Sequence, residues 1–225
     1  MKRTEFDIKI SIEDVCRFLD IHKKSDSYEE LLEELKEMLP MAYEKIEPMA
    51  LLEFGSLDGY TVEEEGRPIK EALFGICTVG KRMAEWSTQL FAEGDYMRGM
   101  MADAIADNYL FQMDTAMEQT VIDMCRKQGK GIIRRIEAPQ DIPMSIQKRA
   151  YDATGAEQEG IGIKPSFMYD PVKTVCQIYL LDDDTSRYHP EHDCSRCSNL
   201  TCRNRRIPSV QVKVRTGEEE RRIRA

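Results

Sequence analysis

From Lys81 onward, apolar residues recur at helical spacing as far as the sequence KQGKG, and no other feature restricts the fold as strongly. A break is expected at Gly94 and Asp95, and Gly129 is suited to the left-handed cap that ends the run. Immediately upstream, EALFGICTVG is a compact apolar stretch closed by glycine, the pattern of a buried strand. The chain therefore mixes β with a long α element. Met97, Met100, Met101, Met113, Met117 and Met124 recur along the helix; adaptable core filling is the preferred reading over a methionine-rich binding face.

Around this pair the signals are shorter. Ser11 opens an S-x-x-D cap before IEDVCRFLD, and Ser27 opens an S-x-x-E capping box before EELLEELKEML, so two short helices are expected to begin the chain. Leu31, Leu32, Leu35 and Leu39 form the packing stripe of the second, with Glu29, Glu33 and Glu37 on its wet side. Residues 48 to 64 combine β-branched and aromatic residues with turn formers, and Glu63 to Pro68 read as a loop. A further helix is expected around MSIQKRAYDATG, then two strands in IGIKPSFMYDPVKTVCQIYLL joined at Tyr169 to Pro171. In the second of these, Val172, Thr174, Cys176, Ile178 and Leu180 alternate with Lys173, Val175, Gln177 and Tyr179, which predicts one buried face. LDDDTSRYHP reads as a polar connector, VQVKVR as an edge strand and EEERRIRA as a frayed end.

The N-terminus lacks the apolar core of a signal peptide and no stretch of about 18 uncharged apolar residues occurs, so a cytoplasmic protein is expected. In a reducing compartment seven cysteines argue for thiols or ligands rather than a disulfide framework. Cys16, Cys77, Cys125 and Cys176 sit in apolar patterns and read as core. The other three are Cys194, Cys197 and Cys202, spaced C-x2-C-x4-C with His192 just ahead, and they read as a metal site. Zinc would be closed by His192 as a structural staple. An iron-sulfur cluster could take His192, a body cysteine such as Cys176, or a partner's group as its fourth ligand. Arg196, Arg203, Arg205 and Arg206 would stabilise thiolates, dock an acidic redox partner or contact phosphate. From Cys194 onward the chain carries +6, leaving -15 for the body out of a net charge of -9. That balance opposes general nucleic-acid binding, and a zinc knuckle would want a histidine between its last two cysteines, which is absent. With His22, His189 and His192 the only histidines, and no motif around any serine or cysteine nucleophile, no catalytic residue is assigned.

Four segments follow one another in a telling order. ISIEDVCRFLDIHKK is an opening strand and helix ending in an arginine-aromatic-leucine phrase; ICTVGKRM is a strand closed by threonine-x-glycine; MRGMMADAIADNY is a long-helix segment; IGIKPSFMYDPVKTV places a proline and a lysine before a return strand. In that order they resemble the cobalamin (vitamin B12)-dependent methionine synthase activation-domain family, here as a free-standing activation protein with a C-terminal cysteine cluster. The resemblance implies an α+β fold, a twisted, mostly antiparallel sheet with flanking helices. It further implies S-adenosylmethionine binding and docking on the cobalamin-carrying domain of a methyltransferase, where cob(II)alamin is reductively methylated. Along the family's cofactor loop, Asp141, Pro143 and Gln147 fit the later part and Arg134 falls on its arginine. Ile136, Glu137, Ala138 and Pro139 stand in the places of a small residue, a proline, a glycine and a tyrosine. The glycine's close backbone approach and the tyrosine's ring and hydroxyl are thus missing. Arg134 and, on the return strand, Tyr179 are the residues the resemblance assigns to the cofactor; their ordinary alternatives are an ion-paired arginine and a sheet tyrosine.

The expected organisation is an activation-domain-like body over 1–187, with 1–60 as an N-terminal helical and strand extension, and a cysteine-rich metal-binding tail over 188–225. The expected function is accessory rather than independent catalysis: reactivation of a cobalamin-dependent methyltransferase, methionine synthase first, in methionine biosynthesis. Reductive chemistry favours an iron-sulfur cluster over redox-silent zinc. The alternatives are a non-catalytic corrinoid-protein interaction module with structural zinc and, less favoured, a zinc-dependent nucleic-acid-binding module.

Overall fold

The computed structural model describes residues 1–195, 197, 202 and 205, and divides the chain into two compact units, Met1–His192 and Asp193–Ala225. VQVKVR and EEERRIRA lie outside the described residues. The first unit runs β1 (Lys2–Arg3), α1 (Ile12–Phe18), α2 (Tyr28–Lys45), β2 (Met49–Ser56), β3 (Glu63–Glu64), β4 (Arg67–Pro68) and β5 (Glu71–Thr78). It continues with α3 (Lys81–Ala92), α4 (Tyr96–Lys127), β6 (Gly131–Ile136), α5 (Ile146–Thr154), a 3-10 turn (Ala156–Glu159), β7 (Gly162–Ile163), β8 (Tyr169–Asp170) and β9 (Thr174–Asp182). Five strands form one antiparallel sheet in the order β1-β2-β5-β9-β6. Among the described residues no helix is long and apolar enough to cross a membrane.

The local signals act largely as their chemistry requires. The helical run breaks where Gly94 takes φ +85°, α4 restarts with the Asp95 carboxylate accepting from the Arg98 amide at 3.2 Å, and Gly129 closes the end at φ +65°. Ser11 caps α1 by accepting from the Asp14 amide at 3.2 Å, whereas Ser27 at the start of α2 makes no side-chain capping bond. The sequence gives both serines the same motif, but Ser27 has a ψ of 8°, away from the extended backbone that aims a capping oxygen inward. Replacing Ser11 with alanine is therefore expected to cost about 1 kcal/mol, and the same change at Ser27 only a few tenths. Urea midpoints of the two variants measure the difference; equal losses would contradict it.

Four expectations are corrected. The second helix is not short: α2 passes through Pro40, and burial of Leu35, Met38 and Ala42 offsets the intrahelical bond that the proline removes. Residues 63 to 68 form the small β3-β4 hairpin rather than a plain loop, and the first of the two late strands shrinks to β7, paired only with β8. Finally, β9 is buried on both faces from Gln177 to Leu181. One face meets a core with α4, containing Leu73, Ile105, Met113 and Tyr179; the other meets α5 through Phe74, Ile76, Ile146 and Ile178. A sheet sandwiched between helices has no wet face, so the alternation separates two cores instead of core from solvent. The methionines split likewise: Met101, Met113 and Met117 are core, whereas Met97 and Met100 are exposed.

Candidate ligand cleft and cysteine tail

Strand β6 lies at one edge of the sheet and determines the chemistry beside it. Its pairing with β9 shifts register between Ile132 and Arg134, which leaves Arg134 opposite Leu180 and Arg135 opposite Tyr179. Residues paired across antiparallel strands share a face, so the bulge turns Arg135 toward α4 and Arg134 toward the other side. Arg135, only 8% exposed, gives Nη1 to Asp114 Oδ2 on α4, and both Nε (2.8 Å) and Nη2 to Glu137 Oε1. Burial alone would weaken its protonation, but the two carboxylates more than compensate and raise its pKa.

These residues line a 250 Å³ cleft framed by α4, the end of β6, α5 and the start of β9. It forms because β6 stops pairing at Ile136–Ile178, so β9 continues alone from Gln177 back to Thr174 on that side. Phe111, Met168 and Val175 give it an apolar rim, each substantially exposed. Carboxylates dominate the charged lining. Burial raises the pKa of Asp107, partly countered by Lys173, whose Nζ lies 2.7 Å from Asp107 and 2.8 Å from Asp103. Burial also pushes Glu137 up, yet the His192 hydrogen bond and the Arg135 charge outweigh it and hold the carboxyl at about 2. At the back of the cleft, burial pushes the Cys176 thiol up to about 12, so it is not a ready thiolate.

Two atoms in this lining have unmet hydrogen-bonding capacity. Asp114, 9% exposed, has Oδ1 buried, and Gln177, 2% exposed, has Nε2 buried; neither atom has a hydrogen-bond partner among the described residues. Leaving such groups unpaired costs about 1–3 kcal/mol each, more when charged, so each calls for a water or a ligand group as its partner.

The two residues assigned to the cofactor from sequence are elsewhere. Arg134 is paired with Glu64 and, at 3.2 Å, with Asp141, and it does not line the cleft. Tyr179 is 1% exposed inside the α4-side core and does not line it either, and the two stand on opposite faces of the sheet. Of the matched loop, Glu137, Ala138 and Gln147 do line it. Asp114, Arg135 and Gln177, which the sequence does not single out, line it too; the sequence signals for them are the acid spacing Asp103, Asp107, Asp114 on one long helix and a glutamine within an apolar strand.

After β9 the chain returns along the outer edge of β6. The Ile132 amide donates to Arg187 O at 2.8 Å and the His189 amide to Ile132 O at 3.1 Å, a parallel bridge between Ile132 and Tyr188. Tyr188 lies under the Arg126 guanidinium, and Arg187 forks onto Glu65 at 2.8 and 3.0 Å. His192, the end of the first unit, brings Nδ1 to 3.3 Å from Glu137 Oε1. In the second unit Cys194, Cys197 and Cys202 are free and half-buried. Arg205 ties their backbones together: its side chain donates to Cys194 O and, at 3.1 Å, to Cys197 O, and its amide to Cys202 O at 3.2 Å. Among the described residues no group of three or more histidine, cysteine or acidic side chains stands in a metal-holding arrangement. The donor set itself, three thiols within one arginine-bound stretch, suits borderline or soft metals.

No protein-family model matches the chain, and no curated protein matches it. Among solved structures, it is similar to the MetH reactivation domain bound to AdoHcy, with a TM-score of 0.57, 14% identity, and coverage of 86% of this chain and 79% of that one. The α+β architecture with its five-stranded antiparallel sheet thus resembles the MetH reactivation-domain fold.

Proposed function

We propose that this chain is an accessory reactivation module: it binds S-adenosylmethionine in the cleft beside β6 and docks on the cobalamin-carrying domain of a methyltransferase, methionine synthase first, supporting reductive methylation of cob(II)alamin. One observation carries the reading: the fold likeness to a domain whose structure holds AdoHcy coincides with a cleft that keeps a buried donor and a buried acceptor unpaired. In this reading Asp114 and Gln177 hydrogen-bond the ligand, Arg135 and Glu137 fix the wall behind it, and Phe111, Met168 and Val175 shield it from water. The protein's own part is to bind, orient and exclude solvent, without independent turnover.

Cys194, Cys197 and Cys202 would hold a metal, with His192 or a partner's group as the fourth ligand. Bound there, an iron-sulfur cluster supplies low-potential electron chemistry and zinc only a structural brace. A second reading, a corrinoid-protein interaction module with structural zinc and no cofactor, draws support from the placement of Arg134 and Tyr179 away from the cleft.

Calorimetry with S-adenosylmethionine, run on protein purified without oxygen and analysed for iron, sulfide and zinc, tests both readings. Saturable binding and a brown, reducible sample are expected. A colourless zinc protein giving no heat with S-adenosylmethionine would favour the second reading and remove the first.

A further inference from the structure

We infer that the cleft selects its occupant by charge, taking a sulfonium- or ammonium-bearing ligand in preference to the neutral analogue of the same shape, with Asp114 as the residue that sets the preference. The inference rests on the reading of this cleft as a site for S-adenosyl compounds and adds which chemical form it takes.

The argument starts from the balance of charge. Asp107, Asp114 and Glu137 line the cleft against a single guanidinium, that of Arg135. That guanidinium is already committed, since each of its three nitrogens donates to Asp114 or Glu137. The nearby ammonium, Lys173, is held between Asp103 and Asp107. An anionic group entering the cleft therefore meets cations whose charge is already matched, whereas a cationic one meets a lining in which three carboxylates outnumber the guanidinium and Asp114, paired to Arg135 through Oδ2, has no hydrogen-bond partner at Oδ1 among the described residues. A charge in that position is screened far less than at the surface, so a ligand cation a few ångströms away interacts strongly with it. Gln177 is the second, independent mark of a built site. Its amide nitrogen is buried without a partner in the same lining, ready to donate to an uncharged acceptor on the ligand. The lining thus offers surplus negative charge toward α4 and a spare amide donor on β9.

S-Adenosylmethionine and S-adenosylhomocysteine differ by one methyl group and the sulfonium charge, which makes them the direct probe. Calorimetry on the full chain at low salt is expected to show S-adenosylmethionine binding about 10- to 100-fold more tightly, a preference that shrinks as ionic strength rises. Asp114→Asn, which keeps the shape and removes the charge, is expected to bring the ratio close to one. Because that variant also touches Arg135, the ratio on the unaltered protein is the primary measurement and does not depend on it. Equal affinity, or tighter binding of S-adenosylhomocysteine, overturns the inference while leaving the cleft as an S-adenosyl site. Failure of both ligands to bind overturns the inference together with the proposed function.

Discussion

Arg135→Met is expected to destabilise the fold by about 3–5 kcal/mol, because it strands the buried Asp114 carboxylate and takes one partner from half-buried Glu137. Asp114 and Glu137 lie on either side of the guanidinium, and Asp114 is already short of one partner. Taking the cation away leaves negative charge in a weakly screening interior, which costs far more than the loss of an exposed ion pair. For a chain of this length the loss corresponds to a fall in melting temperature of roughly 10 °C. Arg134→Met is the internal comparison: its partners Glu64 and Asp141 are about as buried as those of Arg135, but its own side chain is more exposed (20% against 7%), and a smaller cost of about 1–3 kcal/mol is expected. A further variant replacing Arg135, Asp114 and Glu137 together with apolar residues is expected to recover much of the loss, since no buried charge then remains unpaired. Urea denaturation of all three decides the matter. A loss at Arg134 equal to that at Arg135 would mean that the bulge does not sort the two arginines as described.

Gly131→Ala is expected to cost about 2–3 kcal/mol, with its effect concentrated at the edge of the sheet. A Cβ at this position falls 1.9 Å from the Asp184 carbonyl oxygen and 3.1 Å from that of Arg187. Both contacts are backbone, so no side-chain rotation relieves them, and the returning chain must lift away from β6. The bonds lost first are those from Ile132 to Arg187 and from His189 to Ile132. Hydrogen exchange at the Ile132 and His189 amides is therefore expected to speed up more than at amides in the β5-β9 pairing. Gly129→Ala provides the contrast: a Cβ there meets nothing within 4 Å, and only the left-handed backbone at φ +65° is penalised, by about 1 kcal/mol. Unchanged exchange at the edge in the Gly131 variant would show that the return segment does not need the missing side chain.

Particular residues show how much could be read beforehand. The break at Gly94, the Asp95 start of α4, the Gly129 stop and the buried strand Glu71–Thr78 depend on φ preferences, capping oxygens and runs of apolar residues, all properties of neighbours in the chain. Ser27 marks the limit of that reasoning, because the motif specifies an oxygen but not the backbone angle that aims it. The resemblance of four ordered segments carried the α+β architecture correctly, and the loop it matches contributes Glu137, Ala138 and Gln147 to the cleft lining. It assigns Arg134 to the cofactor, whereas the arginine that lines the cleft is Arg135. Arg134 and Arg135 are indistinguishable by composition or period, and the choice is made by a register shift against β9, a strand some forty residues later. Tyr179 and Gln177 tell the same story on β9 itself. Their alternation marks one face, but whether that face meets water or α4 depends on where a helix from earlier in the sequence comes to rest.

The sequence by itself determined the segments, their caps and breaks, the mixed α and β character and the grouping of three thiols near the C-terminus, because each follows from residues that touch along the chain. Only the tertiary structure decided that Arg135 rather than Arg134 faces α4 and lines the cleft, that both faces of β9 are covered, and that Asp114 and Gln177 keep one buried polar atom each without a partner among the described residues. Those outcomes arise from side chains meeting across strands and helices far apart in sequence, where one inserted residue in a ladder redirects every side chain beyond it.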